Sequence, residues 1–129
     1  MKKEKIIQTK KEQLETVLSN LKKVGGILSS AVISRDGLLV ASDLTKNVDA
    51  DTFAAMSAAM EGAAETAMSE LKQGELKQII IDADKGKLIT LSAGKKAILV
   101  VLAKSEINLG LVLLELGKAS DKLSNLLGG

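Results

Sequence analysis

Gly94-Lys95-Lys96 is this chain's nearest approach to a loop that could cradle phosphate. Such a loop needs glycines so that backbone amides converge on the anion, a Lys that reaches in, and a Ser or Thr that holds the metal. Ile89 stands where the first glycine is required and Lys96 where the hydroxyl is required, so the run reads as a surface turn. Asp82 and Asp84 could offer hard oxygen ligands to Mg²⁺, but carboxylates bordering a hairpin are first of all solvated turn residues. Ser34, Ser42 and Ser105 have no imidazole to activate them, and an unaided hydroxyl is a poor nucleophile. The chain contains neither His nor Cys. The commonest general base, the commonest metal ligand, the thiol nucleophile and the disulfide are all excluded. Arg35, the only arginine, could stabilise charge in a partner's phosphoryl transfer, although a place beside a hairpin turn accounts for it equally well. The residues point to a protein that is not an enzyme and that holds no cofactor or metal.

Composition agrees with a globular domain: 129 residues, 46% apolar and 26% charged, fit one domain spanning 1–129. The absence of Cys suits a cytoplasmic protein, and no apolar run approaches the ~20 residues that span a bilayer. Net charge is +2. Most of the excess sits in Lys2, Lys3, Lys5, Lys10 and Lys11 against Glu4, so residues 1–9 read as a basic, frayed tail. A pI near 8.8 would raise nucleic acid as a partner, but Phe53 is the only aromatic residue and stacking platforms are missing.

The elements follow from local signals. Thr9-Lys10-Lys11-Glu12 has capping-box spacing, and a helix is predicted over about residues 10–24, ended by Gly25-Gly26. Ile27 to Ser34 and Leu38 to Ser42 are β-rich runs joined through Arg35-Asp36-Gly37, a strong hairpin signal. A helix over Asp51 to Lys72, capped by Asp49 or Asp51 and closed by Gly74, comes next. Leu76 to Asp82, Lys87 to Ser92 and Ala97 to Leu102 read as three more strands, the last being the most apolar and the expected sheet centre. A final helix carries Leu109, Val112, Leu113, Leu116, Leu123 and Leu127 on one face. The order α-β-β-α-β-β-β-α is an α+β layout. Because the strands are apolar on both sides, the first and last helices should cover one face of the sheet and the central helix the other.

The central helix has two contrasting stripes. Phe53, Met56, Met60, Ala63, Ala64, Ala67 and Leu71 are expected to lie on the sheet. Opposite them Ala55, Ala58, Ala59, Gly62, Thr66 and Ser69 form a face of small residues, where a solvated helix would carry Glu, Lys and Gln. Gly62 costs about 1 kcal/mol of helix propensity, which suggests close approach by another helix from a second subunit.

These pieces carry a resemblance to Roadblock/LC7 domains over nearly the whole chain. The matching residues are Val24-Gly25-Gly26-Ile27, the run Ala31 to Ala41, the central helix, Ser92-Ala93-Gly94 leading into Ala97 to Ala103, and Asn108-Leu109-Gly110-Leu111. The resemblance implies about five antiparallel strands flanked by helices, in a profilin-like layout. It also implies a homodimer, or a heterodimer with a paralogous domain, made by pairing middle helices and edge strands. Family members serve as adaptors in dynein and lysosomal scaffolds, and a bacterial member acts on a Ras-like GTPase as a dimer. The implied function is a cytoplasmic, non-catalytic dimerisation module that regulates or scaffolds a small Ras-like GTPase. Its interface would use Ala55, Ala58, Ala59, Gly62, Thr66 and Ser69 with Ile79, Ile80 and Ile81 of the edge strand, the strand assignment coming from the family. The alternative is a sensor that binds a small molecule or metal in a sheet pocket.

Overall fold

A computed structural model describes residues 8–129. The basic run Lys2, Lys3 and Lys5 lies outside the described residues. Helix α1 spans Lys10–Leu21 and opens on the expected capping box, with the Thr9 hydroxyl and the Glu12 carboxylate each accepting an amide at the helix start. A 3-10 turn over Lys22–Val24 then leads to Gly25 and Gly26, both at positive φ. Strands β1 (Ile27–Ser34) and β2 (Leu39–Asp43) form the first hairpin. Helix α2 (Ala50–Glu70) starts at Asp49, whose carboxylate accepts from the amides of Asp51 and Thr52. Its C-terminal cap is Leu71, with Lys72 at φ 58°, so the chain turns before the predicted Gly74. Strands β3 (Gln78–Ala83), β4 (Gly86–Ser92) and β5 (Ala97–Lys104) form a meander, and α3 (Leu109–Leu126) closes the described chain.

The sheet is antiparallel, in the order β2-β1-β5-β4-β3. Strand β5 is its centre, as its unbroken apolar run predicts. One face is sealed by α1 and α3, where Leu14, Leu18, Val112, Leu116 and Leu123 pack on Val32, Ile89, Leu99 and Val101. The other face carries α2, with Ala54 buried on Ala31, Ile33, Ile98 and Val100. Side chains alternate between faces along a strand and directly paired residues share a face. The register therefore puts Ile79, Ile81, Leu88, Thr90 and Leu102 on the α2 side as well.

The phase of α2 differs from the sequence expectation. Ala54, Ser57 and Glu61 are its buried residues, whereas Met56 is 63% and Leu71 62% exposed. Ala63 and Ala67 are exposed too, and Phe53, Met60 and Ala64 are half-buried. The helix is turned by about one residue step, roughly 100°, from the orientation that would bury its largest side chains. The cause is close contact: a methyl group on Gly37 would lie 3.5 Å from Ala58 Cβ and 3.6 Å from Ala55 Cα. Only small residues allow the hairpin and helix backbones to come this near.

Candidate functional site

Two ends of the α2-bearing face differ. At the end holding the β1–β2 and β4–β5 turns, α2 is pinned. Gly37 lies against it, and Arg35 ties it to both turns: Nη1 donates to Glu65 Oε1 at 2.8 Å, Nη2 to Ser92 Oγ at 3.0 Å, and Nε to the Lys95 carbonyl at 3.0 Å. With its guanidinium bonded inside its own fold, Arg35 is a clamp rather than a free charge at the surface. The turn at Gly94-Lys95-Lys96 supplies carbonyls to that clamp, those of Lys95 and Gly94. A cleft of about 840 Å³ opens beside it, lined by Arg35, Glu65, Lys72, Glu75 and Lys95 among others.

The opposite end is bare. Leu28, Ile81, Leu88 and Leu102 line a shallow trough of about 340 Å³ whose charged lining residues are Lys85 and Lys87. Lys87 is also paired to Asp82 at 2.7 Å, so Asp82 serves a cation of its own hairpin. The edge strand β3 borders this trough. Ile81 is 41% exposed on the α2 side and Ile80 37% exposed on the other, while Ile79 is half-buried. A hydrophobic edge strand with free ladder groups is a template for pairing with another chain.

The small residues on α2 divide. Ala55, Ala59, Gly62, Thr66 and Ser69 are exposed, and nothing lies within 4 Å of where a Gly62 side chain would begin. Ala58 is half-buried and packs on the sheet cluster next to Gly37. Ala58 thus packs within its own fold, whereas the other five are exposed.

A buried carboxylate escaped the sequence reading. Glu61 is 2% exposed beneath α2, and its Oε2 accepts from the Thr90 hydroxyl at 2.7 Å. One turn earlier the Ser57 hydroxyl is buried without a partner. The only sequence signal was a Glu four residues after a Ser on a helix otherwise rich in Ala, and that pattern is common on solvated faces. Among the described residues no group of three or more acidic side chains gathers as a metal site, and no helix is long and apolar enough to cross a membrane.

Comparison with known proteins gives a family match and several structural likenesses. The Roadblock/LC7 domain pattern matches residues 13–103. An uncharacterized protein of Methanocaldococcus jannaschii is 41% identical over 110 residues, covering 85% of this chain and 96% of that relative. A second from the same organism is 40% identical with the same coverage. Among solved structures, Myxococcus xanthus MglB superposes with a TM-score of 0.86 at 24% identity, over 95% of this chain and 92% of that one. A Roadblock/LC7 domain from Streptomyces avermitilis gives 0.83 at 22% identity, over 89% and 98%. An MglB in a tetrameric arrangement gives 0.86 at 22% identity, over 94% and 92%.

Proposed function

Because the chain belongs to the Roadblock/LC7 domain family, we infer that it is a cytoplasmic, non-catalytic dimerisation module that binds and regulates, or scaffolds, a small Ras-like GTPase. The observation that carries the dimer is the unfinished side of the sheet. Strand β3 offers an open edge with Ile79, Ile80 and Ile81, and the neighbouring trough leaves Ile81, Leu88 and Leu102 without a helix above them. A second copy, or a paralogous Roadblock domain, would cover both at once. Family membership supports the GTPase, and so does the poverty of catalytic groups: a chain without His or Cys, whose single Arg is bonded internally, is suited to binding. If it stimulates hydrolysis, it does so by reorganising the partner's own catalytic residues and not by lending Arg35.

The test is capture of GTPases from the same source, loaded with GDP or a non-hydrolysable GTP analogue, by the purified chain. Binding that depends on the nucleotide, with no phosphate release by the chain alone, is the expected result. Turnover of GTP that follows the protein through repurification would overturn it. The 840 Å³ cleft favours a second reading, a small-molecule sensor. A rise in melting temperature with a metabolite mixture, and no GTPase captured, would select that reading.

A further inference from the structure

We propose that the cleft beside the Arg35 clamp binds a soluble sugar phosphate, whose phosphate is held between the ammonium groups of Lys72 and Lys95. The inference rests on the reading of that cleft as a small-molecule site, names the ligand class, and stands whether or not a GTPase is captured. At about 840 Å³ the cleft falls within the range of small-molecule sites, roughly 300–1,000 Å³, and is far larger than one phosphate. Its walls are the end of α2 with the turn that follows and the β4–β5 turn, so an occupant would tie the two together.

Charge decides what enters. The cleft is lined by three cations, Arg35, Lys72 and Lys95, and two carboxylates, Glu65 and Glu75. Arg35 and Glu65 satisfy each other at 2.8 Å. Neither Lys72, Lys95 nor Glu75 joins an ion pair among the described residues. The surplus is positive, and a concave wall focuses it on an anion more than a flat surface does. Lys72 also holds an unusual backbone position. It is the one non-glycine residue at positive φ, 58°, among the described residues. Glycine ordinarily ends a helix in this way, because it has no Cβ to clash. Capping does not account for the lysine. The carbonyls of Ala67, Met68 and Ser69 accept from the amides of Leu71, Gln73 and Lys72, and that of Leu71 accepts from the Gln73 side chain. Its ammonium group is left for an occupant. A phosphate ester suits two ammonium groups, since it carries up to two negative charges and three acceptor oxygens. The body of the ligand follows from the rest of the lining. The Ser69 hydroxyl and the Glu75 carboxylate can bond sugar hydroxyls. Phe53, the only aromatic residue, packs on the sheet cluster away from the cleft, so no ring is there to stack on a base.

The test is isothermal titration calorimetry of the full chain with glucose 6-phosphate, ribose 5-phosphate and fructose 1,6-bisphosphate, with melting temperatures recorded alongside. Binding by at least one ester is expected, at least about tenfold tighter than by unphosphorylated glucose, inorganic phosphate or AMP. Lys72→Gly relieves the backbone and should melt no lower than the parent, yet it should lose at least about tenfold in affinity, as should Lys95→Ala. Lys96→Ala, beside Lys95 but outside the cleft, should stay within about twofold of the parent. Parental affinity in Lys72→Gly would show that Lys72 only ends the helix, and would overturn the proposal. Equal binding by glucose, or tighter binding by AMP, overturns the ligand class. Pelleting with vesicles of phosphatidylinositol phosphate, while the soluble esters stay silent, would put the phosphate in a lipid headgroup and overturn the soluble ligand. Silence from all three esters with a melting rise from another metabolite overturns the sugar phosphate and leaves the small-molecule reading. No rise with any compound overturns both.

Discussion

Glu61 sits where an apolar side chain would ordinarily pack, under the middle of α2 and bonded to Thr90 of β4. Leaving one member of a buried polar pair without its partner is costly, whereas removing both can be nearly neutral. Thr90→Val should therefore destabilise the fold by about 1–3 kcal/mol, and Glu61→Leu combined with Thr90→Val should recover much of that loss. Urea unfolding of the singles and the double measures it, and strictly additive effects would mean that the two side chains do not interact in solution. Arg35 acts at the same scale. A lysine cannot reproduce its fork of donors, so Arg35→Lys should cost about 1–2 kcal/mol, read as a lower denaturant midpoint. No loss would show the clamp to be unformed. Neither pairing was legible in the sequence. Thr90 lies 29 residues from Glu61, and the partners of Arg35 lie 30 to 60 residues away. Residue types announce a capacity to bond, while the partner is chosen by the fold.

At the level of elements, α2 shows where local signals stop. Its start at Asp49, the capping box at Thr9, and the turn at Gly37 were readable because the partners are neighbours in the chain. The strands were readable too, since β1 and β5 are apolar on both faces and buried on both. The rotation of α2 was not. Ranking faces by hydrophobicity chooses Phe53, Met56 and Met60 for the core, but the sheet meets Ala54, Ser57 and Ala58, because small side chains let the helix approach the hairpin. A contrast follows between two positions that the sequence places on one stripe. Ala58→Leu inserts bulk against Gly37 and should destabilise the fold by about 1–3 kcal/mol. Gly62→Leu enters open space, gains helix propensity, and should stabilise it by up to about 1 kcal/mol. Thermal melts of the two variants separate them, and equal effects would contradict the observed phase.

For the molecule as a whole, association and stability are linked, since a partner that binds only the folded chain raises its apparent stability by mass action. The melting temperature should rise with protein concentration over the range in which light scattering reports dimers, and one that is independent of concentration would argue for a monomer. The strand order has a further consequence, in time instead of space. Strand β1 is made early, yet along one side it pairs with β5, from Ile27↔Ala103 to Ser34↔Ala97. The β1–β2 and β3–β4 hairpins can form from local contacts, but the strand that joins them into one sheet is made after both. Distant pairings of this kind slow folding, because the loop must close before the contact repays it. A fragment ending at Gly94 should lack protected amides in hydrogen exchange, and the full chain should refold in one slow cooperative step. Until β5 arrives, the nascent chain carries two hairpins with open edges, and it is in that interval that pairing with the wrong neighbour is most dangerous.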